Sequence, residues 1–437
     1  MKIVASCLVI VAFFLVGTGS GQADDSDVPV VSLQECVTAA LARNPVYAQA
    51  KANVLIQEAT LQSSQKDLLP TFSVKYGYTR QPDANRLIVP EDYYSYAFSV
   101  EQPLYRGRAL MTATELNELG LNASGMDLAK AVNDLVLAVH KAYFEVLKSQ
   151  QLVNVASQAV SRLESHLHDA KAFYEVGLIP KNDLLTSEVR LAQGKQDLLA
   201  ARNSLTVAKA TLNILMENDV AAPLELADVL AYQEREVNWE DLLSQAKESR
   251  PEINKGKLVV AQADKNIIMA RAPYLPSLSL AATYMKQGDT PAADYYPGGS
   301  REIRTAQANL QWRFFTWGQS QNKIAEAKSR VFQAEKALEQ AADQVTMELR
   351  KAFLDLKQFE ENIKVTEKAI EQAEENYRIN EERYRAQLAT STEVLDAQTL
   401  LTQARTNYYN ALYDYNISDT TLAWAVGTLG RSNSANQ

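Results

Sequence analysis

Two carboxylates three positions apart, Glu393 and Asp396, are the residues of this chain best placed to act together. On a helix that spacing puts both on one face. Acidic groups gathered at a constriction favour cations and disfavour anions. A plainer explanation exists. Acidic residues in a first turn stabilise a helix through its dipole, and Thr390 with Glu393 has capping-box spacing. On the residues alone, capping is the favoured reading. Enzymatic chemistry finds less support. His140, His166 and His168 are the only histidines. His166 and His168 are two apart and point to different helix faces, which disfavours a zinc pair, and both are expected on the helix surface. No Ser-His-Asp spacing, phosphate loop or Cys-His cluster is present. An enzyme is not expected, nor is a metal or cofactor.

The carboxylates lie in a stretch, Tyr384 to Gln403, that has a partner copy from Tyr174 to Gln193. Tyr174 matches Tyr384, Asp183 matches Glu393 and Gln193 matches Gln403. Each copy ends one helix, turns and starts another. Gly177 can take the left-handed conformation that closes a helix, and Pro180 prevents continuation. The second carboxylate has no counterpart, because Thr186 stands where Asp396 would be.

The duplication extends outward from these tips. Residues 33–69 and 239–275 both read as helix, broken at Asn44-Pro45 and at Arg250-Pro251, and ended by Leu69-Pro70 and Leu275-Pro276. Beyond each Leu-Pro the apolar period changes to two. Phe72, Val74, Tyr76 and Tyr78 alternate with Thr71, Ser73, Lys75 and Gly77; Tyr94, Tyr96, Phe98 and Val100 alternate with small or polar residues. Leu278 to Tyr284 and Ala306 to Phe314 repeat the pattern. Such strands of about 10 residues have the length and two-faced character of bilayer-crossing strands, and equally those of a half-buried soluble sheet. Tyr93, Tyr94, Tyr295 and Tyr296 flank the loops, where aromatic residues favour a membrane interface.

Four long seams complete the chain. Leu128 to Ala170, Leu184 to Leu215, Ile324 to Val345 and Val394 to Ala425 place small and apolar residues at alternating steps of four and three. That is the coiled-coil period. Helices over 108–174 and 319–384 would each run about 100 Å, too long for a compact domain. The resulting division is a signal peptide at 1–23, a first repeat at 24–217, an equatorial linker at 218–238, a second repeat at 239–427 and a loose tail at 428–437.

The signal peptide rests on Lys2, the apolar Ile3–Val16 and the small-residue site Gly21-Gln22-Ala23. Cys7 would leave with it, so Cys36 remains as a lone thiol read as a small apolar core residue. A net charge of −9 without a basic patch makes nucleic acid a poor partner. No later run is long and apolar enough for a transmembrane helix.

The signal, the duplicated helix–strand–strand–helix order, Asn44-Pro45 and the two Leu-Pro steps resemble the TolC-like outer-membrane efflux proteins. So do Pro103-Leu104-Tyr105-Arg106-Gly107, Phe315-Thr316-Trp317-Gly318 and Tyr384 followed by Glu393-Val394-Leu395-Asp396-Ala397. The resemblance covers 33–427. It implies a mainly α-helical homotrimer in which four strands per chain complete a shared twelve-stranded barrel in the outer membrane, above a long α-helical coiled-coil barrel crossing the periplasm. It implies a passive exit duct of a tripartite efflux or type I secretion system, docked on a periplasmic adaptor that links it to an inner-membrane pump. By position it nominates Tyr384, Glu393 and Asp396 as the gate, and Val176, Gly177, Leu178, Ala386, Gln387 and Leu388 as the adaptor-contacting tips. Two departures stand out: Gln387 replaces a frequent glycine, and Ala389 replaces a basic latch residue, leaving Arg383 or Arg385 to serve. The rival reading is a periplasmic coiled-coil scaffold or adaptor that spans no membrane. It explains the seams and leaves the strands unexplained.

Overall fold

The computed structural model describes residues 30–82, 91–228, 232, 237–294 and 301–430. The expected signal peptide, Tyr295, Tyr296 and most of the C-terminal tail lie outside them. The chain is mostly helical. After a two-residue strand β1 (Val30–Val31) come α1 (Leu33–Arg43), α2 (Pro45–Lys66), β2 (Thr71–Arg80), β3 (Asp92–Arg106), α3 (Ala109–Glu175) and α4 (Lys181–Leu215). Then follow β4 (Glu225–Leu226), α5 (Trp239–Ser249), α6 (Pro251–Arg271), β5 (Ser277–Gly288), β6 (Arg301–Gln311), α7 (Gln319–Arg385) and α8 (Ser391–Val426). Among the described residues no helix is long and apolar enough to cross a membrane.

The four long strands form one antiparallel sheet in the order β2-β3-β5-β6, and the short β1 and β4 pair with each other in parallel. The register joins the apolar positions into one face. Phe72 pairs with Val100, Val100 with Ala282 and Ala282 with Ala306. The opposite face carries a row of hydroxyls, Ser73, Ser99, Thr283 and Thr305. The apolar face is bare within one chain: Phe72 is 66% exposed and Val74 74%. Among the described residues the β2 and β6 edges are unpaired. The last strand is shorter than the alternation predicted. It stops at Gln311, and the Trp312 indole N–H donates to the Tyr274 carbonyl at 3.0 Å. Trp312 and Phe314 therefore belong to the link into α7, where Trp317 and Gly318 take positive φ. The matching link before α3 uses Gly107 at φ +60, where a Cβ would lie 2.4 Å from the Ala272 carbonyl oxygen.

The coiled-coil period places the helices well. Seam residues such as Val139, Val146, Leu212, Val394, Leu401, Ala411 and Leu422 are buried. One seam per helix is nevertheless too few for α3, which packs against α2, α4, α6 and α8. Its buried arc is correspondingly wider and takes in Val155, Ala159 and His166. The expectation that His166 lies on the surface is thus wrong. Cys36 is fully buried with Val136 and Tyr143, as an apolar residue should be.

Two X-Pro steps tie the sheet-side helices to the hairpins. Asn44 accepts from the Val46 N–H, capping α2, and its Nδ2 donates to the Leu215 carbonyl at the end of α4. Arg250 occupies the corresponding step before Pro251. Its guanidinium donates to the Trp424 carbonyl near the end of α8 at 3.1 Å and to Glu348 of α7 at 2.5 Å. It also lies over the Trp424 ring at 4.3 Å. Each clamp therefore satisfies a helix-terminal carbonyl that would otherwise lack a partner. Removing the arginine takes a buried guanidinium from a helix-end carbonyl and from the half-buried Glu348 and Glu252, whereas removing the asparagine loses a cap. Arg250→Ala is expected to cost about 3 kcal/mol and Asn44→Ala about 1 kcal/mol. Thermal denaturation in detergent should show a larger fall for the arginine variant, with Arg250→Lys between it and the native protein because lysine keeps the charge and loses the fork.

Candidate functional site

The α3–α4 and α7–α8 hairpins end in tips of the same construction. At the first, the Gly177 N–H donates to the Tyr174 carbonyl and the Leu178 N–H to the Phe173 carbonyl. At the second, Gln387 donates to Tyr384 and Leu388 to Arg383. Both are Schellman closures, with the left-handed position filled by Gly177 at φ +77 and by Gln387 at φ +63. The non-glycine residue there carries a strain of about 1–2 kcal/mol. The apolar residues of the tips face solvent: Val176 is 69% exposed and Leu388 70%. Gly177, Leu178, Ala386 and Gln387 are exposed beside them.

Beyond the second tip, Thr390 caps α8 by accepting from the Glu393 N–H at 3.3 Å. Glu393 and Asp396 are both exposed, while Val394, Leu395, Ala397 and Gln398 are buried. The spacing argument therefore holds in its geometric part: the two carboxylates share the free face of α8. Among the described residues neither forms an ion pair.

Tyr384 lies apart from that face. It is buried against the His166 ring, with centroids 4.8 Å apart, and against Phe173 at 5.4 Å. Burial raises its hydroxyl above the ordinary phenol range, with Asp169 and Asp183 adding to the effect. The hydroxyl lies toward Ser391 without reaching hydrogen-bond geometry. Around it sits a polar cluster that sequence reasoning missed. His166 Nε2 is 2.8 Å from Ser391 Oγ, and Ser391 Oγ is 3.3 Å from Ser187 Oγ. All three side chains are buried. They come from α3, α8 and α4, so the cluster, with Tyr384 of α7, joins both hairpins. The available signal was the spacing of His166, Ala170 and Phe173, four and three apart and thus on one helix face.

Of the two arginines considered as latches, only Arg385 reaches the other hairpin, at 3.5 Å from Asp169, while also holding Glu381 at 2.9 Å. Arg383 instead donates to the Leu388 carbonyl in its own turn. Among the described residues no group of His, Cys, Asp and Glu could hold a metal ion. The site thus has exposed carboxylates on one side of α8 and a buried polar joint between the hairpins on the other.

Comparison with known proteins agrees with this architecture. The chain is 26% identical over 372 residues to the outer membrane protein TolC of Vibrio cholerae serotype O1, covering 84% of each chain. Its fold is similar to that of CusC, at a TM-score of 0.80 and 17% identity, with 90% of this chain and 92% of the other covered. It is similar also to the Campylobacter jejuni CmeC outer membrane channel, at a TM-score of 0.79 and 18% identity over 92% and 88% of the two chains. The model of a family described as outer membrane efflux protein matches residues 36–216 and 242–428. On that match, which spans both hairpins and the sheet, the chain belongs to the outer membrane efflux protein family.

Proposed function

We propose that three copies of this chain form the exit duct of a tripartite efflux or type I secretion system, gated at the helical tips. The family is one of efflux conduits rather than enzymes, and its members reside in the outer membrane and extend into the periplasm. The observation that carries the reading is the sheet: four strands with a bare apolar face and two open edges. In lipid every backbone polar group needs an internal partner, so an open edge must be closed by another copy. Three copies of the four-stranded sheet make a twelve-stranded barrel, wide enough to leave an aqueous lumen. The hydroxyl face then lines the lumen and the apolar face meets lipid. In the same assembly the two repeats, 24–217 and 239–427, supply alternate hairpins of a helical tube, with residues 218–238 as a belt around it.

At the tube's end, Glu393 and Asp396 of each copy converge on the axis, and Tyr384 holds the hairpin that carries them. The exposed tips, Val176-Gly177-Leu178 and Ala386-Gln387-Leu388, offer apolar contacts to the helical hairpin of a periplasmic adaptor, through which an inner-membrane pump is coupled.

Single-channel recording in a planar bilayer tests the gate. The native protein should show a small, cation-selective conductance. Glu393→Ala/Asp396→Ala should enlarge it and weaken its selectivity, because the ring's charge is what excludes anions. A wide pore indifferent to the double substitution would reduce the two residues to helix stabilisers. No conductance from correctly folded protein would favour the periplasmic scaffold.

The adaptor surface has a separate test. A Cβ at Gly177 meets nothing within 4 Å, so Gly177→Asp adds only about 1 kcal/mol of backbone strain. Export in cells should fall while the purified oligomer still assembles. Loss of assembly would place Gly177 in folding instead.

A further inference from the structure

We infer that the buried His166–Ser391–Ser187 cluster under Tyr384 is the latch joining the two hairpins of each chain, and that acid releases it by protonating His166. The inference rests on the gated-duct reading above and adds to it the part that opens.

The geometry begins with where the cluster sits. It is the place near the tips where side chains from α3, α4, α7 and α8 meet out of water: His166, Ser187, Tyr384 and Ser391. A chain of hydrogen bonds runs from His166 through Ser391 to Ser187, and Ser187 in turn donates to the Asp183 carbonyl at 3.0 Å. Parting the hairpins must break this chain. In the packed state the cluster suits a neutral imidazole. Its hydrogen-bond partner is the Ser391 hydroxyl, and the ring against it is Tyr384, tilted at 42°.

The charged groups around it do not reverse that preference. On its own helix, Asp169 favours the imidazolium, but Arg385 of α7 lies 3.5 Å from that carboxylate and offsets it. Glu381 of α7 is held by the same Arg385. From α4, Asp183 stands beyond Ser187 and acts on Tyr384. From α8 the nearest contact is the uncharged Ser391, since Glu393 and Asp396 occupy the exposed face. His168 is exposed. Burial is accordingly the leading influence, and it holds His166 below the ordinary histidine range.

The sign follows from linkage. Above about pH 6.5 His166 is neutral whether the hairpins are packed or parted, and the latch is at full strength. Below it, the parted state binds a proton that the packed state resists. Each further pH unit then shifts the balance toward parting by up to about tenfold per chain, until the packed state also protonates.

The test is open probability of the purified trimer between about pH 7.5 and 5.5, recorded for the native protein, His166→Gln and Glu393→Ala/Asp396→Ala. Glutamine keeps a hydrogen-bonding group toward Ser391 and removes the titration. The native channel should open more often as pH falls, the glutamine variant should not respond, and the carboxylate variant should keep the acid response with altered conductance. An acid response that survives His166→Gln overturns the latch. So does a native channel without one, even where the carboxylate variant upholds the gate. If neither variant alters the channel, the gate reading fails as well.

Should His166→Gln not assemble, the double variant S187C/S391C in a Cys36→Ala background decides the matter. Those two hydroxyls are 3.3 Å apart, so oxidation should tie the hairpins and abolish acid opening, while the reduced form, which lacks the Ser391 hydroxyl that pairs with His166, should open more often than the native channel at about pH 7.5. An oxidised channel that still opens with acid overturns the inference.

Discussion

Backbone hydrogen bonds at the edges of the four-stranded sheet are the constraint on which the molecule turns. Among the described residues of one chain, β2 and β6 each present an unpaired row of N–H and C=O groups. In water such edges invite aggregation, and in a bilayer they are untenable. The apolar face of the same sheet is equally incomplete, since Phe72 and Val74 are exposed and Tyr76 and Tyr78 stay half exposed despite their hydrogen bonds to Pro291 and Asp92. In the three-chain barrel proposed above, the helical end follows the symmetry that closes the sheet, because β3 runs into α3 and β6 into α7 through short links anchored at Gly107 and Gly318.

Those links pass the geometry of the sheet down to the hairpins, and the X-Pro clamps fix it at the equator. Asn44 holds the end of α4 and Arg250 the end of α8, so each hairpin is tied to a short helix at the far end from its tip. Tyr143 adds a third tie, donating to the Ala227 carbonyl at 2.5 Å and so holding the β1–β4 ladder against α3. The buried joints at the equator use an arginine fork and carbonyl partners. The buried joint near the tips uses only hydroxyls, an imidazole and a phenol. Breaking a charge-bearing clamp costs several kcal/mol, and breaking neutral hydrogen bonds about one each. The buried joint of the arginine clamp is accordingly stronger than the buried joint near the tips, where a charged link between the hairpins, Arg385 to Asp169, is half exposed.

Much of this was legible in the chain because the relevant periods are long. Alternation gave β2 to the residue, and the four-three step gave the seam of α8 with Tyr408 the one half-buried exception, whereas on α4 only Ser187, Ala208 and Leu212 of the seam are buried and the rest are half-buried. The X-Pro breaks and the tips were legible through Pro and Gly chemistry. What escaped was decided by several partners at once. His166 is buried because α3 touches both α4 and α8, and its one trace in the chain, the spacing to Ala170 and Phe173, lies beside the longer seam that ends at Ala170. Trp312 left its strand because its indole found a carbonyl on a distant turn. Gln387 took a glycine's conformation because the second tip repeats the hydrogen bonds of the first, and those bonds outweigh the strain. The carboxylates were correctly placed on one face, but whether they meet those of other copies is a property of an assembly and not of one chain.

The two explanations of Glu393, cap and gate, are compatible, and a comparison within the molecule shows how. At the start of α1, Ser32 and Glu35 form the full capping box. The Glu35 carboxylate accepts from the Ser32 N–H at 2.7 Å and from its hydroxyl at 2.9 Å. It is thereby turned back onto its own helix. At the start of α8, Thr390 accepts from the Glu393 N–H, and the Glu393 carboxylate stays at the exposed face beside Asp396. The backbone of Glu393 is thus engaged in ending the turn while its side chain remains free for other work. A full box would have served the helix better and disarmed the residue. The half box keeps α8 anchored where the chain enters it, and leaves two negative charges on the one surface of that helix that its own chain does not cover.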